Sequence, residues 1–418
     1  MGREREPHIH QINNLMRWLT CTPVSFSGGE DFFSRDSGLL SRGFRDLGVE
    51  STAVMPGPAQ PGDLPELLRV PYSSLEDAGW WKACRADGVV LYAWGHPRYR
   101  KVAAAIRAAG IFLVLNQDSN GVVSPLNGPS LWLKDRWISS GAGRVAGGWL
   151  RFAWWILKGL TYGLARTDPM RRAHLNSGDV IAAVSPVAAD YYKRLCRTYG
   201  GGELADRVAV VPHSVCEAFR VEKGGGRDDA ILAIGRWKDE RQKRTSLLMK
   251  VVERVLAAEP AVRFDIAGEP SEKLSAWHGC LAEDHKARTR LHGRLLPEQI
   301  AAIMRSTKTL YCPSAFESFH IASGEALCSG CSIVAADLPT LTSFPWFCGE
   351  NCGRLAGEDS VSGHANALIS ELEAWRNGLR DPVRISGIWT LRLHSTRVAE
   401  KILSLAANQL PRDKKEIV

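Results

Sequence analysis

Apolar and polar residues alternate along this chain in blocks that predict strands and helices in turn. Amphipathic segments, such as the one with Leu39, Leu40 and Phe44 at helical spacing, predict helices. Parallel strands need long connections, so this alternation favours parallel sheets with crossover helices. Short runs with the length and β-branched content of buried strands lie between the helices: 51–55, 87–94, 111–118, 178–185 and 208–215.

A polar, glycine-rich stretch at 221–229 interrupts the alternation, which then starts again. We therefore predict an α/β protein of two Rossmann-like domains, 1–220 and 221–387, whose parallel sheets face each other across a cleft. A terminal helix at 388–410 is expected to cross back to the first domain. Ligands of this architecture bind at the carboxyl ends of the strands.

The bulk composition adds little to this fold prediction. The chain has 418 residues, and two domains of about 200 residues each fit that length. A formal charge of +8 favours anionic partners. The polar start of the sequence does not resemble a secretory signal, and no apolar run reaches the ~20 residues of a spanning helix. We therefore expect a cytoplasmic protein.

Cysteine spacing raises the alternative of a metal site. The chain has ten cysteines, which we expect to be reduced thiols. Cys328, Cys331, Cys348 and Cys352 have nearly the spacing of a zinc ribbon. However, Cys328 and Cys331 flank a glycine between a helix and a strand pattern, where small residues pack. We therefore predict no metal site.

Two segments of the second domain predict an anion-binding site. Gly235 and Arg236 follow a strand, with Lys243 close behind, and such cations at a cleft mouth can bind a diphosphate. The alternative is a solvated turn, because 236–244 holds five basic residues. In the other segment, 316–334, a helix predicted from Ile321 would leave amides at Phe319, His320 and Ile321 free to bind an anion.

Two carboxylates flank that predicted helix start. Glu317 lies in the loop before the helix, and Glu325 lies about one turn inside it. Carboxylates can accept hydrogen bonds from ribose or sugar hydroxyls. A phosphate site between two such acids suits a sugar nucleotide.

These segments resemble the retaining, family-4-type glycosyltransferases, which have the two-domain B-type glycosyltransferase fold. PSAFESFHIASGEALCSGCSIVAAD resembles the E-x7-E region of that family. The likeness is strong from 205 to 355 and weak over 120–175. Four further segments are similar to family motifs: AIGRWKDERQK, FDIAGE, VVPHSV and SFSGG.

The resemblance implies roles for individual residues. Arg236 and Lys243 would bind the diphosphate of the sugar donor, and Glu325 the nucleotide ribose. Glu317 would contact hydroxyls of the donor sugar, and Gly28 and Gly29 would approach the phosphates from the first domain.

The chain also departs from the family pattern at three places. His320 replaces a small residue, Pro212–Ser214 replaces Pro-Asn-Gly, and Gln117 replaces a common histidine. These departures concern the donor sugar more than the reaction type.

The implied reaction is retaining transfer of a hexose from a UDP- or GDP-linked donor to a glycan or lipid-linked acceptor. No other cofactor is expected, and the lack of a D-x-D motif at a strand end favours a metal-independent reaction. Asp118 could orient a hydroxyl, and His96 could reach the cleft. The alternatives are a turn residue for Asp118, a helix-start residue for His96, and a buried loop contact for His213.

A basic, tryptophan-rich insert occupies 131–172. It has eight Lys and Arg against two Asp, and five of the fourteen Trp. It could contact an anionic membrane peripherally, at the inner face, or pack on the first sheet beside the acceptor. Four side chains are predicted to share its apolar face, with Arg151, Lys158 and Arg166 opposite: Trp149, Phe152, Ile156 and Leu160.

Other functions fit the sequence less well. A sugar-nucleotide epimerase on the same fold would leave the insert unexplained. A non-catalytic subunit that binds sugar nucleotides or glycans would not need Glu317, Glu325, Arg236 and Lys243 together. A nucleic-acid partner is disfavoured because no nucleic-acid motif accompanies the basic residues.

Overall fold

The computed structural model describes residues 16–222 and 226–409. Its strands form two sheets in which every pairing is parallel. The first sheet has the order β3-β2-β1-β4-β5-β6-β7, with strands β1 (Arg17–Cys21), β2 (Glu50–Pro56), β3 (Leu67–Val70), β4 (Gly88–Tyr92), β5 (Phe112–Gln117), β6 (Val180–Ala183) and β7 (Val208–Val210). The second has the order β10-β9-β8-β11-β12-β13, with strands β8 (Asp228–Ile234), β9 (Arg263–Ala267), β10 (Thr289–Gly293), β11 (Thr307–Cys312), β12 (Ser332–Ala336) and β13 (Gly353–Ala356). The predicted fold class is confirmed.

Helices cover both sheets. Those of the first half are α1 (Glu30–Phe33), α2 (Asp36–Asp46), α3 (Tyr72–Leu75), α4 (Ala78–Ala83), α5 (Arg100–Ala108), α6 (Pro129–Ser140), α7 (Gly148–Lys158), α8 (Asp168–Ser177) and α9 (Pro186–Asp206). The others are α10 (Glu240–Lys243), α11 (Thr245–Ala258), α12 (Glu272–Gly279), α13 (Glu283–Ala287), α14 (Pro297–Ser306), α15 (Ile321–Cys328), α16 (Phe344–Phe347), α17 (Val361–Arg376), α18 (Pro382–Leu393) and α19 (Ser395–Gln409). A π-helical segment, Gly159–Thr167, joins α7 to α8, and 3₁₀ turns lie at Pro97–Tyr99 and Pro125–Asn127.

The inner strands form because their apolar runs are covered on both faces. All five residues of β4 and all five of β12 are buried, as expected for parallel strands between helical layers. The edge strands β3, β10 and β13 have shorter or more polar sequences and are only partly buried. The hydrophobic pattern therefore did not predict these three edges.

The chain ends in two helices rather than the single helix predicted over 388–410. α18 ends at Leu393, whose carbonyl accepts the Val215 amide at 2.7 Å, and the Ser395 amide donates to the Val215 carbonyl at 3.2 Å. This pairing with the first half of the chain interrupts the helix at His394. α19 then packs on α2, with Val398 and Ile402 in one buried cluster with Leu40 and Phe44. Leu410 lies outside the described residues.

One buried cluster joins the two domains beside the cleft. It contains Val215 and Phe219 from the first half of the chain, with Phe319, Phe347 and Trp389 from the second. Because Phe319 precedes α15 directly, this packing fixes the start of α15 against the first domain.

The insert is helical, and its predicted apolar face is divided between half-buried and exposed side chains. Phe152 and Ile156 are half-buried. Arg151, predicted to face away from them, donates to the Ser140 carbonyl of α6 at 2.6 Å. Trp149 and Leu160 of the predicted face point to solvent, in an outward row with Leu150, Trp154 and Leu157. In the part of the chain that the structure describes, no helix combines the length and apolar character needed to cross a membrane.

Candidate active site

A buried ion pair lies at the carboxyl edge of the second sheet. Lys243 ends the short helix α10, and its Nζ lies 2.5 Å from Oε1 of Glu317 in the loop after β11. Both side chains are about nine-tenths buried. Burial raises the pKa of Glu317, but the neighbouring His320 ring and Lys243 ammonium outweigh it and leave the pKa below the usual value. Glu317 is therefore ionised at neutral pH.

His320 occupies the N-cap position of α15 in a left-handed conformation, with φ 63°. Its Nδ1 lies 2.7 Å from Oγ of Ser323. Burial, reinforced by the nearby Lys243 charge, lowers the pKa of His320 to about 4. His320 is thus neutral at pH 7, and Lys243 is the cation that holds Glu317 ionised.

The amides of Phe319, His320 and Ile321 have no acceptor among the described residues. They lie at the start of α15, where the helix dipole favours an anion. The structure therefore places three unused donors beside the Lys243–Glu317 pair.

Cys312, Glu317 and His320 are the one group in 16–222 and 226–409 close enough to share a metal ion. Glu317 is already paired with Lys243, and a cation beside that ammonium would be repelled. The four cysteines with zinc-like spacing do not form such a group in the described chain. Cys328, Cys331 and Cys352 lie instead in the apolar cluster between the domains.

Arg236 lies near this pair but is solvent-exposed. It donates to Oε1 of Gln242 at 3.0 Å, and Gln242 donates to the Phe316 carbonyl at 3.2 Å. Gly235 brings the backbone onto the Trp237 indole, where a Cβ would lie 3.1 Å from the ring. Gln242 thus ties the Arg236 turn to the loop that carries Glu317.

Glu325 differs from Glu317 because no side chain pairs with it. Its carboxylate forms no hydrogen bond within the described residues. Burial raises the pKa of Glu325 to about 7, opposed only by the charge of Arg35 from the first domain. This carboxylate can therefore exchange a proton near neutral pH and accept ligand hydroxyls.

The first domain contributes a second pair of oppositely charged groups, Asp118 and His213. Oδ1 of Asp118, directly after β5, lies 3.2 Å from Nε2 of His213, and Nδ1 of His213 lies 3.8 Å from Asp36. Burial disfavours the charged imidazole, but Asp118 and then Asp36 raise the pKa of His213 above its usual value. Burial likewise raises the pKa of Asp118, and His213 more than offsets this.

His213 is buried in the loop after β7, but it pairs with Asp118 rather than with the buried loop carbonyl that the sequence suggested as its partner. Its ring lies 5.5 Å from the Phe319 ring across the cleft. Asp118 also contacts the Ser318 hydroxyl of the second domain. The only sequence signal was the departure of Pro212–Ser214 from the family motif.

His96 lies apart from these pairs. It is exposed after β4, and its Nδ1 accepts the Arg98 amide at 3.2 Å, which is the helix-start role considered as the alternative. Gln117 is fully buried, and neither atom of its amide has a partner in the described chain. A Cβ on Gly95 would lie 2.7 Å from Oε1 of Gln117, so this amide lies behind the His96 turn.

Gly28 and Gly29 precede α1 at the cleft side of the first domain. A Cβ on Gly28 would lie 2.2 Å from the end of the Leu67 side chain, so a larger residue there would displace that side chain. A Cβ on Gly29 would lie 3.4 Å from the Gly62 carbonyl. The next turn faces the second domain, since Asp31 lies 3.6 Å from Arg294.

Several residues of this site lie within a segment that matches a known protein family. Residues 228–373 match the family of glycosyl transferases group 1. The match includes Arg236, Lys243, Glu317 and Glu325. This part of the chain is therefore similar to the group 1 glycosyltransferases.

A curated relative matches about a third of the chain. Phosphatidyl-myo-inositol mannosyltransferase of Mycolicibacterium smegmatis is 32% identical over 146 residues, which are 34% of this chain. The match spans 36% of the relative, about a third of its length.

Solved structures match the whole two-domain fold. The lipopolysaccharide outer core galactosyltransferase WaaB, in its apo form, has a TM-score of 0.59 at 14% identity and covers 94% of this chain and 100% of its own. HepE of Anabaena, solved with UDP and glucose, has a TM-score of 0.56 at 14% identity, with coverages of 94% and 100%. Sucrose-phosphate synthase of Thermosynechococcus elongatus reaches 0.59 at 14% identity, with 94% and 98%. The predicted resemblance to B-type glycosyltransferases is confirmed.

Proposed function

We propose that this protein is a retaining hexosyltransferase that moves a sugar from a nucleotide diphosphate to a glycan or lipid-linked acceptor. The observation that carries the proposal is the buried Lys243–Glu317 pair beside unused amides at the start of α15. A UDP-linked donor is favoured over a GDP-linked one because HepE, of similar fold, was solved with UDP. The names of the mannosyl- and galactosyltransferase relatives support a hexose.

The proposed chemistry begins with the departing diphosphate. As the bond between the anomeric carbon and the phosphate oxygen breaks, negative charge grows on that oxygen. The amides of Phe319, His320 and Ile321 can donate to it, and Arg236 and Lys243 supply positive charge. These groups can stabilise the leaving group without a metal ion.

The acceptor oxygen then bonds to the anomeric carbon on the face that the diphosphate leaves, and its proton passes to the departing phosphate oxygen. Retention is proposed from the family resemblance. Glu317, tied to Lys243, would hold donor-sugar hydroxyls rather than act as a nucleophile. Glu325 would accept the ribose hydroxyls, and Asp118 would orient a hydroxyl from the other side of the cleft.

We also propose that the outward row of α7 lies on an anionic membrane. Leu150 is 79% exposed, Trp154 59% and Leu157 57%. The exposed cations Lys134, Lys158, Arg166 and Arg172 lie on the same insert. An apolar helix face beside basic residues complements an anionic lipid surface.

Hydrolysis and transfer assays with a panel of UDP-, GDP- and ADP-sugars test the proposed activity. Arg236→Ala and Glu325→Ala should each lower turnover by about 10²-fold or more, because each removes a group proposed to touch the nucleotide. Both variants should unfold at the wild-type temperature.

Lys238→Ala is the matched control. Lys238 lies in the same turn as Arg236 and is equally exposed, but it pairs with Glu269 at 2.5 Å. It should retain near wild-type turnover. Wild-type rates in both Arg236→Ala and Glu325→Ala would reject the site assignment.

A further inference from the structure

A cavity of about 600 Å³ opens between the end of β4 and the insert. Its walls come from the His96 turn, the 3₁₀ turn at Pro125–Asn127, α6, α7, the π-helical segment and α8. The proposed sugar-donor site uses none of these walls, so the cavity has no role in the steps above.

The cavity is positively charged. Four cations line it: Arg98, Arg136, Lys158 and Arg171. Two of them have carboxylate partners, since Arg171 pairs with Asp168 and Arg136 with Asp135. The other two have no carboxylate partner among the described residues.

The positive charge of the cavity also affects the pKa of the neighbouring His96. Burial lowers its pKa, and the nearby Arg98, Arg171 and Lys158 lower it further. His96 is therefore neutral at pH 7, and the positive charge of the cavity rests on the arginines and the lysine. An anionic ligand would relieve the repulsion among these cations.

Aromatic rings form the apolar part of the walls. Trp94, Trp132, Trp155 and Tyr162 all line the cavity. Flat indole faces offer contact area to the apolar faces of sugar rings, and their edges remain available to polar groups. Cations and indoles together suit a sugar that bears an acidic group.

One wall is connected to the proposed sugar-donor site. Arg241 of the second domain lies 5.9 Å from the Trp155 ring centre and 4.9 Å from that of Phe316. It also donates to the Ser139 carbonyl of α6 at 2.7 Å. Phe316 directly precedes Glu317, so a ligand in the cavity would lie beside the loop that holds the donor sugar.

We propose that this cavity binds the acceptor through an anionic group, a phosphate or a carboxylate carried by a sugar that packs on Trp155 and Trp132. This inference rests on the proposed transferase function and specifies its acceptor. Arg98 and Lys158 contact the anion, since they are the two cations without a carboxylate partner in the described chain.

Calorimetric titration of the full chain at saturating UDP tests the inference. Glucose 6-phosphate supplies the phosphate, glucuronic acid the carboxylate, and glucose is the neutral control. At least one acidic sugar should bind more tightly than glucose by about tenfold, the effect expected for a charge-assisted contact. Equal binding of all three sugars, or none by either acidic sugar, overturns the inference.

Variants then locate the anion. Lys158→Gln and Arg98→Gln should each weaken binding of the acidic sugar by about fivefold or more. Lys134→Gln, an exposed lysine of the same insert outside the cavity, should leave it unchanged. An equal loss in Lys134→Gln, or displacement of the acidic sugar by UDP, overturns the inference. Hydrolysis of the UDP-sugar should persist in all three variants, so failure of the transferase proposal would be seen separately in the wild type.

Discussion

The proposed sugar-donor site and the helical insert, 131–172, differ in whether their charged and apolar side chains have partners within the chain. In the donor site, Lys243 and Glu317 neutralise each other in a nearly buried pair. In the insert, Leu150 and Trp154 face solvent, and Lys158 has no ion-pair partner in the described chain. The charges of the proposed donor site are therefore paired in the absence of a ligand. The insert instead exposes apolar side chains and a lysine that have no partner in the described chain.

A second contrast lies within the donor site itself. Glu317 is held ionised by a neighbouring cation, whereas burial without a partner raises the pKa of Glu325 to about 7. Two acids eight positions apart thus have opposite responses to pH. This difference supports the proposal that Glu325 changes its protonation when a ligand binds, whereas Glu317 stays ionised beside Lys243.

The largest effect should come from breaking the preformed pair. Lys243→Met should lower turnover by about 10³-fold. It should also lower the free energy of unfolding by about 3–5 kcal/mol, because it leaves Glu317 charged and buried without a partner. Sugar-nucleotide hydrolysis and urea unfolding measure the two effects.

The double variant Lys243→Met/Glu317→Leu separates stability from activity. It removes both charges, so it should recover most of the lost stability but none of the turnover. The pH dependence gives a further check. Because the pKa of Glu317 is depressed in the folded state, its contribution to stability is present above about pH 4.5 and is lost as the pH falls further. Unchanged stability in Lys243→Met would contradict a buried pair.

A smaller effect should appear as a proton released when UDP binds. In the proposed site, ribose hydroxyls would donate to the ionised form of Glu325, so binding should lower its pKa from about 7. Calorimetry near pH 6.5 in two buffers of different ionisation enthalpy measures the release. Glu325→Gln should abolish it, and an equal release in that variant would remove Glu325 from the ribose site.

Without ligand, Glu325 should act on stability in the opposite sense to Glu317. The pKa of Glu325 is raised in the folded state. The folded protein therefore binds more protons than the unfolded chain between about pH 4.5 and about pH 7. The free energy of unfolding should therefore fall as pH rises through this range. The fall should be smaller in Glu325→Gln.

The smallest effect on catalysis should come from the insert. Leu157→Glu should weaken binding to vesicles of phosphatidylglycerol and phosphatidylcholine by about tenfold, because it places a charge in the row that meets lipid. Hydrolysis of the sugar nucleotide should be unchanged. Co-sedimentation at low salt measures the binding.

Leu379→Glu is the control for that comparison, since Leu379 is 65% exposed on the second domain. It should leave vesicle binding unchanged. No binding by the wild type, or equal loss in both variants, would mean that the apolar row does not meet a membrane.

Local pattern in the sequence determined the two parallel α/β domains and the start of α15. These depend on periodicity and on residues a few positions apart, such as the turn before Ile321, whereas the short helix that ends at Lys243 was not predicted. The same pattern could not predict the edge strand β3, because an edge needs little apolar sequence.

Tertiary structure alone decided which distant residues meet. Asp118 and His213 pair because β5 and the segment after β7 end at the same edge of the first sheet, and the interdomain cluster brings Phe319 against that histidine. It also decided which face of α7 is covered, because that helix is apolar on several sides and only its contacts with α6 select the outward row. Periodicity shows that a face is apolar, but the packing of distant segments determines what covers it.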